Sequence, residues 1–382
     1  MKILAVVGAR PNFVKIAPLM AEMRQHPELQ PMLVHTGQHY DQALSTLFFE
    51  ELAIAEPDLK LAVGSGSHAT QTAQAMVELE RAAAELAPDL ILVVGDVNST
   101  LAAALVAAKA CIPLAHVEAG LRSGDRTMPE EVNRVVTDAL SDLLFTTEAA
   151  AAENLAREGV PPTKIHFAGN VMVDTLLRFL PRARALCPPE RVGLQREGYA
   201  VVTLHRPSNV DRPEVLQGIL HALAEIGTRL DVVFPVHPRT RAQLEEVAAG
   251  MPLGVSRLRL TEPLGYLEFL GLVDGARLVL TDSGGLQEET TALGVPCLTL
   301  RENTERPATI ELGTNRLVGT DPAAILPAVS EVLEQPPRPP VEEVCRPPLW
   351  DGRAAQRIVA TLRRLAAAAC ILGLLAGAGR AR

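Results

Sequence analysis

Residues 116–134, HVEAGLRSGDRTMPEEVNR, hold four carboxylates and three arginines in nineteen positions, directly after the apolar stretch ACIPLA. Carboxylates at that density beside cations suit acid–base chemistry on a substrate with an anionic leaving group. A carboxylate moves the proton and a cation steadies the departing charge. The same charges can instead close on one another as a salt-bridged loop, with Glu118 and Glu130 satisfied by Arg122, Arg126 and Arg134. The residue types leave both open.

Four further stretches carry chemistry. In GARPNFVKIAPL, Gly8 permits a tight turn and Pro11 suits a first helical turn, while Arg10 and Lys15 stand at and just inside a helix start. A helix N-terminus favours anions, so two cations there point to a phosphate held between them. LVVGDVNST reads as a strand followed by a helix, with Asp96 either a carboxylate offered to a ligand or, with Ser99, a helix cap. LTDSGGLQEET repeats that design: Ser283, Gly284 and Gly285 let backbone N–H groups approach an anion, and a carboxylate one turn on, Glu288 or Glu289, can accept two ribose hydroxyls. A capping box is the structural alternative there. VVTLHRPSN places His205 and Arg206 directly after a strand, and RENTERPATIELGTN adds Arg306 in a loop. G-x-G-x-x-G and G-x-x-x-x-G-K are both absent, against nicotinamide dehydrogenases and P-loop NTPases. His35, His39, Glu118 and His237 have no metal-ligand spacing, so no metal is expected.

These residues need strands to hold them. Short aliphatic runs, KILAVVG, DLILVVGD, IPLAHVEAG, YAVVTLH, LDVVFPVH, ARLVLTDSGG and VPCLTL, alternate with longer helical patterns. Continuously apolar strands separated by helices indicate parallel sheets covered on both faces, an α/β fold. The pattern fades across RFLPRARALCPPERVGLQREG and restarts at YAVVTLH, which predicts an N-terminal domain over 1–170 and a C-terminal domain over 171–354. A helix at about 355–368 is expected to pack back on the first, with an apolar tail at 369–382. Every motif falls at a strand's carboxyl end, where ligands of open parallel sheets bind.

Composition narrows the class. The chain is 382 residues long, 48% hydrophobic and 21% charged, with a formal net charge of -9. An acidic chain of average composition is neither disordered nor built for nucleic acid or an anionic membrane. Cys111, Cys187, Cys297, Cys345 and Cys370 form no C-x-x-C pair, and their apolar surroundings predict buried, reduced thiols in a cytoplasmic protein. The start MKILAVVGAR reads as a strand and not a signal peptide. The uncharged LAAAACILGLLAGAG is shorter than the roughly 20 residues that span a bilayer.

Taken together, GARPNFVKIAPL, TGQHYD, GDVNSTLA, HVEAGLRSGD, MPEEVNR, LHRPSNVD, LTDSGGLQEET and ENTERPATIELGTNRLVG resemble the non-hydrolysing UDP-N-acetylglucosamine 2-epimerases. The likeness runs in order from about residue 1 to 360. It implies two Rossmann-like doubly wound domains facing across a cleft, as in GT-B glycosyltransferases, a homodimer, and neither nicotinamide nor metal. The implied reaction interconverts UDP-GlcNAc and UDP-ManNAc through elimination of UDP to a 2-acetamidoglucal. On that likeness Asp96, Glu118 and Glu130 match the catalytic carboxylates and His205 the active-site histidine. Arg10, Lys15, Ser283, Gly284, Gly285, Glu289 and Arg306 match substrate-binding positions. Arg134 is expected to hold Glu130 by an i, i+4 pair. The short TGQHYDQALSTLFFEEL form also resembles relatives that epimerise a UDP-2,3-diacetamido-glucuronate. A GT-B glycosyltransferase is the alternative from another class, distinguished by having no use for carboxylates gathered at C2.

Overall fold

Aliphatic runs such as KILAVV, LILVV and LVLT are buried along almost their whole length, so both faces of each strand must be covered by helices. A computed structural model describes residues 1–37, 48–186, 188–236, 238–248 and 257–379. His39, His237, Cys187 and residues 38–47 of the TGQHYD segment lie outside the described residues, as do the side chains of the 369–382 tail and of Cys370.

The chain divides into two compact units, Met1–Thr175 with Pro348–Arg382, and Leu176–Pro347. The first holds β1 (Lys2–Val7), β2 (Gln30–His35), β3 (Leu59–Lys60), β4 (Leu90–Val94), β5 (Leu114–Ala119), β6 (Leu143–Thr146) and β7 (Ile165–Phe167). These pair in the order β3-β2-β1-β4-β5-β6-β7, each pair parallel. Strand order reverses between β1 and β4, the switch point at which loops diverge and leave a crevice. The alanine-rich face of the helix Asn98–Lys109 lies against this sheet, with Ala102, Ala103 and Ala107 packing on Val6, Ile91 and Val93. Small side chains let the helix approach closely.

Residues after Pro348 rejoin this unit. Trp350 is fully buried and donates its indole N–H to the Thr147 carbonyl at 2.9 Å. The helix Ala354–Gly379 begins with its first N–H groups, those of Ala354 and Ala355, on the Asp174 carboxylate at 3.1 and 2.7 Å. Burial pushes that carboxyl up to about 6, although the two N–H groups pull it back.

The second unit holds β8 (Tyr199–Thr203), β9 (Asp231–Pro235), β10 (Leu258–Thr261), β11 (Leu278–Thr281), β12 (Cys297–Thr299) and β13 (Asn315–Leu317). Their order is β10-β9-β8-β11-β12-β13, again all parallel, with the switch point between β8 and β11. Val202, Val232, Phe234 and Leu280 pack against Leu216, Ile219 and Leu223 of the helix Pro213–Ile226.

The cysteine expectation holds in part. Cys297 is buried, but Cys111 and Cys345 are free and exposed, because Cys111 sits in the turn after the helix Asn98–Lys109 and Cys345 in an irregular segment. Among the described residues, no helix is long and apolar enough to cross a membrane.

Candidate active site

The first unit gathers its candidates at the carboxyl ends of β1, β4 and β5. The turn after β1 is built by Asn12, a residue the sequence pattern did not single out. Its side-chain oxygen accepts from the Gly8 and Ala9 N–H groups at 3.1 Å each, and its amide donates to the Val94 carbonyl at 2.8 Å. That ties the β1 turn to the end of β4. The helix Arg10–Met23 starts there, with the Arg10 guanidinium 5.3 Å above the Phe48 ring.

Lys15 reaches inward from the same helix. Its ammonium lies 2.6 and 2.7 Å from the two oxygens of Glu118, and both side chains are buried. At Gly95 an added Cβ would stand 2.9 Å from that ammonium, which is why the end of β4 carries no side chain there. Lys15 therefore touches an acid–base candidate directly, a contact that its sequence position did not foretell.

Glu118 itself has φ 74, the left-handed region that side chains other than glycine avoid, and the β5–β6 register slips between Val117 and Ala119. The bulge turns this residue out of the alternation of the strand.

Asp96 and Ser99 do not cap the helix Asn98–Lys109, whose N-cap is Val97 without a side-chain bond. Ser99 instead shares a 2.8 Å hydrogen bond with Thr36, and Asp96 is paired with Arg134. Arg134 also pairs with Glu131, three residues before it, in place of the expected partner Glu130. The cause is the N-terminal turn of the helix Pro129–Leu140. Glu131 faces inward, where it accepts from the Ser123 and Gly124 N–H groups at 3.0 Å each. Burial works to raise its pKa, but those two N–H groups and Arg134 hold it below the ordinary glutamate value. Glu130 is half-buried at the start of the same helix, its carboxylate uncommitted to any partner among the described residues. The salt-bridged-loop alternative thus applies to Glu131 and Arg122 and not to Glu130. Arg122 pairs with Asp138 and Glu158.

The second unit places its candidates after β8, β11 and β12. His205 is half exposed, with Nδ1 2.8 Å from Asp282 Oδ1. Asp282 is fully buried and also accepts from the His205 N–H at 3.1 Å, the Arg206 N–H at 2.9 Å and Asn209 Nδ2 at 3.3 Å. Burial works to raise this carboxyl, but His205 and the two backbone N–H groups hold it below the usual aspartate value. An ionised Asp282 fixes the His205 ring with its Nδ1 side committed and its Nε2 side free to serve a ligand. Asp282 lies in the quoted LTDSGG, one residue before the serine that drew attention.

Ser283 is the N-cap of the helix Gly284–Leu293 yet makes no side-chain cap, so the capping-box alternative does not apply. Its first-turn N–H groups keep their capacity for an anion. Gly284 has no room for a side chain: a Cβ would lie 2.6 Å from Arg306 Nη1 and from Glu305 Oε1. Gly285 is half-buried beside it. Arg306 is buried, with Nε 3.0 Å from Glu288 and Nη1 2.5 Å from Glu305. Burial, reinforced by the neighbouring Glu288, pushes the Glu289 carboxyl up to about 8. Among the described residues, no three His, Cys, Asp or Glu side chains cluster to hold a metal ion.

Two parallel sheets with polar side chains gathered at equivalent switch points fit a nucleotide-sugar enzyme, and sequence comparison decides which. The family model for UDP-N-acetylglucosamine 2-epimerase matches residues 21–363. This chain belongs to that family. It is an epimerase, an enzyme of the isomerase class. The UDP-N-acetylglucosamine 2-epimerase of Methanococcus maripaludis is 43% identical over 339 residues, 87% of this chain and 92% of the relative. The UDP-2,3-diacetamido-2,3-dideoxy-D-glucuronate 2-epimerase of Pseudomonas aeruginosa is 43% identical over 323 residues, 84% of this chain and 88% of the relative. Among solved structures, Methanocaldococcus jannaschii UDP-GlcNAc 2-epimerase in complex with UDP-GlcNAc and UDP has a TM-score of 0.87 at 40% identity. It covers 95% of this chain and 100% of that one. The two parallel-sheet α/β domains of this epimerase are of the GT-B type of fold that these neighbours share.

Proposed function

We propose that this epimerase interconverts UDP-GlcNAc and UDP-ManNAc by eliminating UDP across C1 and C2 and adding it back to a 2-acetamidoglucal. The observation that carries this is the pair Asp96 and Glu118 at the ends of adjacent strands, each against a buried cation, Arg134 and Lys15.

The C2 proton of the sugar is not α to a carbonyl and resists a base acting alone. As UDP leaves C1, positive charge builds at the ring and the proton becomes removable. A carboxylate must take it, another group must return it on the opposite face, and cations must steady the departing diphosphate. Asp96, Glu118 and Glu130 are the acid–base and ring-stabilising groups in this proposal. His205, oriented by Asp282, assists the diphosphate. Arg10, Lys15, Ser283, Gly284, Gly285 and Arg306 hold the nucleotide's anionic portion, and Glu289 holds the ribose. The M. jannaschii relative bound to UDP-GlcNAc and UDP supports the UDP-sugar as substrate class. The same proposal makes the protein a cytoplasmic homodimer acting without nicotinamide or metal.

Proton NMR of the purified protein with UDP-GlcNAc in D2O, without an acceptor, tests it. UDP-ManNAc carrying deuterium at C2 is the expected product. Absence of both exchange and a new anomeric signal would sink the proposal. The same assay with UDP-2,3-diacetamido-glucuronate then asks whether the epimerase acts on that sugar instead.

A further inference from the structure

His116 on β5 is fully buried, and the proposed chemistry leaves it unused. Its two ring nitrogens meet two acceptors. Nε2 is 2.9 Å from the Gly95 carbonyl, which can only accept, so Nε2 carries a hydrogen. Nδ1 is 2.6 Å from Asp138 Oδ1. Burial works to raise the Asp138 carboxyl, but His116 and Arg122 hold it below the ordinary aspartate value.

The other Asp138 oxygen accepts from the Gly120 N–H at 3.0 Å and lies 2.7 Å from Arg122 Nη1. A continuous chain therefore runs from the Gly95 carbonyl through His116 and Asp138 to the Gly120 N–H. Gly95 precedes Asp96, and Gly120 follows Glu118 by two residues. Between them stands the left-handed backbone of Glu118, a conformation that persists only where its surroundings over-determine it. Stability alone does not account for a buried polar pair, since well-packed apolar residues of similar size often serve as well.

We propose that His116 is a positioning residue of the epimerisation: it fixes Asp96 and Glu118 relative to each other by holding Gly95 directly and Gly120 through Asp138. This rests on the function proposed above, because it is those two carboxylates whose separation matters. A displacement of about 1 Å can cost on the order of 100-fold in turnover without loss of binding.

The test uses the full chain in two measurements. Hydrogen exchange at the Gly120 amide is expected to quicken at least about tenfold in Asp138→Asn and in His116→Gln; wild-type exchange in both overturns the proposal. In parallel, His116→Gln and Asp138→Asn are expected each to lower kcat for UDP-GlcNAc about 100-fold with KM held within about threefold, and the double variant to lose little more than either single one. Folded variants with wild-type kcat and a lowered Tm would show a merely structural pair and overturn the proposal. Failure of both variants to fold would do the same, by making the pair a folding element. Wild-type turnover is measured first. If the wild type does not act on UDP-GlcNAc, the proposed function falls, whereas the hold of His116 and Asp138 on Gly120 is still read independently by exchange.

Discussion

Asp282→Asn probes how the second unit orients its histidine. The carboxylate accepts from His205 Nδ1 at 2.8 Å, two backbone N–H groups at 2.9 and 3.1 Å, and Asn209 Nδ2 at 3.3 Å, with no exposure to water. An amide keeps one acceptor oxygen and turns an NH2 group towards donors that cannot accept. Two buried donors are then left short, at about 1–3 kcal/mol each, so roughly 2–6 kcal/mol of stability is lost. Trp350, the only tryptophan, lies in the other unit, so fluorescence would miss this change. Hydrogen exchange of the β8 and β11 amides reads it directly, with protection expected to fall by about 30-fold to some 10,000-fold. His205 also loses the partner that holds its ring, and kcat is expected to drop at least about 30-fold while UDP affinity changes little. The sign with pH follows from the depressed Asp282 pKa. Its stabilisation is complete above the unfolded value of about 3.9 and is lost as pH falls through the lower folded value, so the gap between wild type and variant closes in acid. Unchanged exchange and unchanged kcat in the variant would refute the orienting role.

Glu118→Gln and Glu130→Gln are each expected to cut turnover at least about 100-fold and leave UDP affinity within a few fold; wild-type turnover in both removes the acid–base assignment. Arg306→Ala is expected to weaken UDP binding by roughly 1.5–3 kcal/mol, measured by calorimetry, and unchanged affinity counts against a phosphate contact. Because the Glu289 carboxyl sits at about 8, its ionised form grows from pH 7 to 9, and UDP affinity is expected to rise about tenfold over that range and to flatten in Glu289→Gln. A flat wild-type profile speaks against Glu289 as the ribose acceptor. Gly120→Ala places a Cβ 2.3 Å from the Ala151 carbonyl at φ 81, and is expected to cost the first unit roughly 2–5 kcal/mol in urea denaturation followed by Trp350 fluorescence.

The α/β class and the strand-end position of the motifs were legible in the sequence because a buried parallel strand writes itself as a continuous apolar run. Partners were not, because they depend on which face of a turn points inward. The spacing of Glu130 and Arg134 suits an i, i+4 pair, but the first turn of their helix aims Glu131 at the arginine. Lys15 is one turn inside a helix start, where a phosphate is the expected neighbour, and the packing of that helix against β1, β2 and β4 also delivers its ammonium to Glu118. Asp138 has no local signature at all: it is one acidic residue in an ordinary helix, and only the sheet brings His116 to it. Asp282 was readable in principle, being the first polar residue after β11. The serine and glycines that follow it carry the stronger motif.

The return of residues after Pro348 to the first unit sets an order on synthesis. The sheet β1–β7 leaves the ribosome early, but the Trp350 anchor and the helix Ala354–Gly379 that close its surface emerge only after the whole of Leu176–Pro347 has been made. At about 5–20 residues per second that interval is roughly 9–34 s, long enough for the second unit to fold while the first still exposes the ground on which Ile358, Val359 and Leu362 dock. The half of the chain that carries Asp96 and Glu118 is begun first and finished last, which makes a nascent chain stalled near residue 347 a natural substrate for chaperones.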